Sequence, residues 1–195
     1  MKLAKPFFIV DRYRRRVLVV IVLALVIAAG ATGCTTKYIK PEVVTTPTEK
    51  YGTIAIGEIT MEDKLYEYLA PFFRRGLVQE LNEQKAFEKV LDPKPETLTE
   101  SSLLLSGRIK EVDKGSTTLR WLIGFGAGSS KASGVFEISD SAGVQLLKFE
   151  AKETYAGGAG IGGADYLDIE DLITRFGKTV AERTVRWSRG EKISE

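Results

Sequence analysis

Val17 to Ala29 is an unbroken apolar stretch of 13 residues, and it decides how much of this chain is available to fold. Ahead of it, Met1 to Arg16 is basic and closes on Arg14-Arg15-Arg16. Behind it, Gly30-Ala31-Thr32-Gly33-Cys34 supplies small residues. Charge, apolar segment and small residues in that order match the plan of a secretory signal peptide: the charge stays inside, the apolar run enters the bilayer, and the cleavage site has no bulky side chains. Residues 1–33 are therefore expected to be a leader, and a core must come from residues 34–195.

Ala31-Thr32-Gly33-Cys34 resembles a bacterial lipobox, although Leu is more usual where Ala31 stands. The resemblance implies a lipidated Cys34, cleavage just before it, and a cell-envelope protein anchored outside the cytoplasm. Thr35 is not the Asp that resembles an inner-membrane retention signal, so the periplasmic face of an outer membrane is favoured in a host with two membranes. The alternative is an uncleaved signal anchor, because Val17 to Thr36 is a run of 20 uncharged residues, long enough to span a bilayer. Thr35 to Lys50 is rich in Thr, carries Pro41 and Pro47 and has no periodicity. It is expected to be a mobile tether with a reach of about 50 Å at ~3.3 Å per residue.

The basic excess belongs to the leader. Residues 34–195 hold 22 basic and 25 acidic residues, so nothing points to a nucleic-acid partner. One cysteine excludes an internal disulfide or a multi-cysteine zinc site. The absence of histidine removes the commonest metal ligand, the usual general base and the Ser–His and Cys–His pairs. No metal or cofactor is expected.

Periodicity predicts a strand over 51–59 with Ile54 and Ile56 on one face. A helix over 63–85 should come next, with Leu65, Leu69, Phe72 and Leu81 along one side and a kink or second start at Pro71. Strands are expected over 87–91, 103–112, 131–139 and 144–155, and a last helix over 167–189. The strand over 103–112 turns Leu103, Leu105 and Ile109 one way and Ser106, Arg108 and Lys110 the other. The last helix carries Ile169, Leu172, Ile173, Phe176, Val180 and Trp187 as its stripe. The order β-α-β-β-β-β-α favours a two-layer α+β domain over 51–190, mainly antiparallel, with both helices on one sheet face and a tail at 191–195.

Asp140-Ser141-Ala142-Gly143 should close a hairpin, with Gly143 supplying the left-handed residue. Pairing Ser139 with Val144 would set Gly128 opposite Tyr155 and Gly126 opposite Gly157, give or take one residue for a bulge. The two glycine-rich segments would then lie side by side.

Most motifs yield to plainer readings. Gly124-Phe125-Gly126-Ala127-Gly128-Ser129-Ser130-Lys131 lacks phosphate-loop spacing and the helix that loop needs. Gly158-Ala159-Gly160-Ile161-Gly162-Gly163 matches GxGxxG, but no further strand comes after the helix behind it. Asp165, Asp168, Glu170 and Asp171 open a helix and read as caps rather than a cation site. Glu58, Glu62 and Asp63 offer carboxylates that one sequence cannot set across a cleft. Neither Ser-x-x-Lys nor G-x-S-x-G occurs. Arg120-Trp121 would suit a binding hot spot or an ordinary core Trp.

From Leu103 to Trp187 the pattern becomes recognisable. Ser106-Gly107-Arg108-Ile109, Arg120, Gly124-Phe125-Gly126-Ala127-Gly128-Ser129, the Asp140-x-x-Gly143 turn and a second glycine-rich segment together resemble an uncharacterised family of bacterial lipoproteins, domain of unknown function 4410. The resemblance implies an envelope lipoprotein and brings no catalytic residues. The element order also resembles small α/β domains of envelope assembly lipoproteins such as the curli secretion factor, a likeness of fold alone. The expectation is a non-catalytic lipoprotein binding another envelope protein or a wall component, with homo-oligomerisation open. A surface of Arg120, Trp121, Gly124, Gly126, Gly128, Gly157, Gly158 and Gly160 is the candidate for docking. The alternative is a histidine-free hydrolase or transferase using carboxylates or Ser/Lys.

Overall fold

The computed structural model describes residues 34–47, 51–115, 129–156 and 168–193. In chain order they form β1 (Cys34–Val44), β2 (Thr53–Met61), a 3-10 turn (Lys64–Leu69), α1 (Ala70–Gln84), β3 (Lys89–Leu91), β4 (Ser102–Asp113), β5 (Ser130–Asp140), β6 (Gln145–Ala156) and α2 (Ile169–Ser188). The strands join in one sheet ordered β1-β6-β5-β4-β2-β3. It is antiparallel from β1 through β4, while β2 runs parallel to both β4 and β3. From β2 onward the elements keep the expected order.

Both helices lie on the same face, as the aromatic core makes plain. Phe136 of β5 stacks on Phe73 of α1 with ring centroids 5.4 Å apart and meets Phe176 of α2 edge-on at 5.8 Å. Gly107 lies opposite Phe136 in the ladder, and a Cβ there would stand 2.3 Å from the Phe136 ring. Around these rings Ile54, Ile56, Leu103, Leu105, Leu147 and Phe149 from the sheet meet Leu69, Leu77, Leu172 and Val180 from the helices, all fully buried. This is a two-layer α+β domain.

Local chemistry sets the helix boundaries. Asp63 caps the 3-10 turn by accepting from the Leu65 N–H at 2.9 Å, and Pro71 sits in the first turn of α1, where its missing N–H costs nothing. The second start expected at Pro71 is therefore present. The 3-10 winding changes the register, however, and Leu65 is 80% exposed instead of joining Leu69 and Leu81 in the core.

Three further expectations are corrected. Residues 35–44 are not a tether but most of β1, paired along β6 from Cys34 opposite Ala156 to Val44 opposite Leu147. Ile39 enters the core, and the Trp187 indole donates to the Thr45 carbonyl at 2.9 Å, so the segment is tied down. The sheet thus takes in residues 34–44, which the expected boundary at 51 left out. At the other end Ile193 is 4% exposed, so the tail expected from 191 packs at that residue.

The hairpin forms as expected at its tip and slips behind it. Gly143 has φ +84°, its N–H donates to the Asp140 carbonyl, and the Asp140 carboxylate accepts from the Ala142 and Val144 N–H groups. Asp140, not Ser139, pairs with Val144, and a bulge adds one more residue at Leu146. Tyr155 therefore faces Ser130, two residues from the expected Gly128. An even shift leaves every side chain on its expected face, which is why the core reading survived it.

Candidate functional site

The sheet face away from the helices carries the expected polar alternation of β4. Ser106, Arg108 and Lys110 line a cleft of about 590 Å³ there, joined by Glu58, Thr60 and Glu62 from the β2 side, Glu137 from β5, Lys148 from β6 and Glu42 from β1. Lys148 sits between Glu42 at 3.2 Å and Glu137 at 3.7 Å.

Backbone irregularity aims several of these charges. The β1–β6 register shifts between Pro41 and Val43, the β2–β4 register between Ile56 and Ile59, and the β4–β5 register between Ile109 and Glu111. The extra residues fall at Glu42, at Gly57-Glu58 and at Lys110, so bulges put charged side chains onto one cleft. Arg74 of α1 stabilises the β2 bulge by donating to the Gly57 carbonyl at 2.9 Å and the Ile56 carbonyl at 3.3 Å, while also pairing with Asp92.

Of the three carboxylates singled out in the sequence, Glu58 and Glu62 enter the cleft, whereas Asp63 is used as a cap. Glu42, Glu137, Lys148, Arg108 and Lys110 complete a surface with acids and bases interleaved. Such a surface can hold a polar partner by charge complementarity. Asp168, Glu170 and Asp171 open α2, where Asp168 accepts from the Ile169 N–H at 2.6 Å. The Asp168 carboxylate beside Glu170 raises the Glu170 pKa above its ordinary value. Among the described residues no three His, Cys, Asp or Glu side chains group to hold a metal ion.

Cys34 heads β1 at one end of the sheet. There β2, β4 and β6 finish, β5 begins and α2 begins. Gly115, Ser129 and Ala156, which border the two glycine-rich segments, belong to the same end. Ala31, Thr32 and Gly33 lie outside the described residues, as do Arg120, Trp121, Gly124, Gly126, Gly128, Gly157, Gly158 and Gly160. No helix among the described residues is long and apolar enough to cross a membrane.

A two-layer α+β domain with one helix-covered face and one charged open face is thus the class of protein in hand. Residues 42–159, more than half of the chain, match the family described as domain of unknown function (DUF4410), and the chain belongs to that family. No curated protein matches it. Among solved structures it is similar to a PelC dodecamer from Paraburkholderia phytofirmans, at 11% identity and a TM-score of 0.48, over 80% of this chain and 99% of that one. A single-site variant of the same dodecamer aligns at 13% identity and a TM-score of 0.45, over 83% of this chain and 99% of the other.

Proposed function

We propose that the protein is a non-catalytic, membrane-anchored envelope lipoprotein whose open sheet face binds another envelope protein or a wall component. The observation that carries this reading is the charged cleft over β1, β6, β5, β4 and β2. A solvated sheet face needs no such convergence of bulges, whereas a binding face uses them to aim side chains. The anchor rests on the basic, apolar and small-residue order that ends at Cys34. The pairing of Cys34 with Ala156 in the sheet is compatible with it, since the domain would then sit directly on its lipid.

Two measurements test the two halves. Cys34→Ser should leave an unprocessed precursor without acyl label. Wild-type protein that keeps residues 1–33 at steady state defeats the lipoprotein reading. A photo-crosslinking residue at Glu137, which is partly exposed and outside the core, should capture a discrete partner in cells. A ladder no different from one obtained with the probe on the exposed face of α1 at Glu83 defeats the cleft. The mass of the captured species decides whether the partner is a second copy of this chain.

One observation favours a second reading. Glu58 and Glu62 share the cleft, so a hydrolase or transferase using carboxylates would place them there. Glu58→Gln and Glu62→Gln would then abolish turnover while leaving crosslinking intact; the binding reading expects crosslinking to change instead.

A further inference from the structure

A second cavity, on the helix side of the sheet, is mainly basic. It lies between β1 and the C-terminal half of α2, measures about 410 Å³, and is lined by Lys37, Arg183, Arg186 and Arg189 together with Glu182 and Gln84. Four cations therefore gather there with Glu182, and Arg186 also reaches Glu191, although residues 34–195 as a whole hold more acids than bases. Helical spacing gathers three of them: Glu182, Arg186 and Arg189 share one face at i, i+4 and i+7, and Arg183 is one turn before Arg186. Lys37 arrives from β1, held by Glu182 at 2.8 Å.

The negative end of the α2 dipole accounts for basic residues in the last turn. It does not account for Lys37, which comes from another element, or for Arg183, which is only 4% exposed. The other cations are also oriented: Arg186 pairs with Glu191 at 3.4 Å, and Arg189 donates one N–H to the Gln84 carbonyl at 3.0 Å. A guanidinium has five N–H donors, so Arg189 keeps most of its own for a ligand.

We propose that this cavity binds a phosphate group carried on a small hydroxylated molecule. A phosphate monoester brings between about −1.5 and −2 charges and three acceptor oxygens, which suits several converging donors better than a carboxylate does. Val185 is the apolar side chain in the wall, and no aromatic ring lines it. A nucleobase would find nothing to stack on, so the carrier is a sugar or a glycerol rather than a nucleoside. The cavity is several times larger than a phosphate and leaves room for it. A soluble phosphate ester and a phospholipid headgroup share this chemistry.

The test is thermal unfolding of the full chain in detergent, with inorganic phosphate against chloride at matched ionic strength. Phosphate should raise the midpoint in a saturable way. Arg189→Gln and Lys37→Gln, both away from the core, should each weaken the apparent affinity by about tenfold or more, the loss expected of one charge-assisted hydrogen bond. Two variants are used so that a folding defect in one leaves the other informative. Glycerol phosphate, and micelles doped with phosphatidic acid or phosphatidylcholine, then separate the sources. A rise with phosphatidic acid but not phosphatidylcholine assigns the site to a lipid headgroup. A rise with glycerol phosphate alone assigns it to a soluble ester. No rise beyond chloride, or the same rise in both variants, overturns the site. Cys34→Ser leaves the expectation unchanged, so this inference and the anchor fail separately.

Discussion

A Cβ on Gly76 would stand 1.9 Å from the carbonyl oxygen of Thr174, so α1 and α2 cross backbone against backbone. Gly177 completes the contact, since a Cβ there would meet the Phe73 carbonyl at 2.2 Å. The crossing brings the rings of Phe73 and Phe176 to 5.7 Å, which closes the core over Phe136. Gly76→Val and Gly177→Val should each force the helices apart and destabilise by about 3 kcal/mol or more. Urea unfolding measures this; a loss below about 1 kcal/mol contradicts the backbone contact.

The second expectation concerns β1. Trp187→Phe removes the donor to Thr45 and leaves an aromatic ring, and should cost about 1–2 kcal/mol. A chain beginning at Tyr51 loses that bond, Ile39 and the whole β1–β6 ladder, and should be far less stable than one beginning at Cys34. Equal urea midpoints for the two would show β1 to be dispensable.

Lys85 ends α1 with φ 51°, in the left-handed region where a side chain is strained. Lys85→Gly should therefore stabilise the domain by up to about 1 kcal/mol, and a drop in melting temperature would count against it.

Glu170 should titrate above its ordinary value, chiefly because of its side-chain hydrogen bond with Asp168. A pKa raised in the folded state means the folded form binds this proton more tightly. The contribution of Glu170 to stability is then present below its unfolded pKa and is lost as pH rises through the folded one. In Asp168→Asn the Glu170 carboxyl resonance should titrate closer to its ordinary value. An unchanged titration would remove Asp168 as the cause.

Lys148→Ala breaks two ion pairs of the cleft at once. Lys148, Glu42 and Glu137 are all partly solvated, with side-chain exposures of 32%, 38% and 43%, so the stability cost should stay within about 1 kcal/mol. Its effect should fall on partner capture. Unaltered crosslinking at normal stability would separate this lysine from any binding role.

How far these features could be read from residues alone depends on how local their cause is. The α2 stripe needs only the helical period, and Leu172, Ile173, Phe176, Val180 and Trp187 are all buried where that period puts them. The turn at Gly143 needs only four consecutive residues. β1 left little trace, because an edge strand here gives Ile39 to the core, leaves Tyr38, Val43 and Val44 exposed, and carries Lys37, Lys40 and Pro41, residues of the kind that guard an edge against pairing. Glu153 was passed over between Ala151 and Tyr155. Its polar identity hides the fact that it is 1% exposed, accepts from the Thr179 hydroxyl at 2.7 Å and lies 3.5 Å from Arg175. Gly76 and Gly177 look like weak points of their helices until the facing backbone is known. The charged cleft is the least local of all, since five strands and three register shifts assemble it.

Cys34 is itself paired with Ala156, so no slack separates it from the sheet. Whatever holds that residue holds the strand, and through the β6 ladder it holds the whole domain. A protein fixed in this way does not sweep a volume above its attachment point. Under the proposed lipid anchor its height would be its own length, its freedom would be rotation about one residue, and the open face of the sheet would swing in an arc of fixed radius. On the proposed anchor, the location of a partner, rather than the reach of this chain, would be the condition for their meeting.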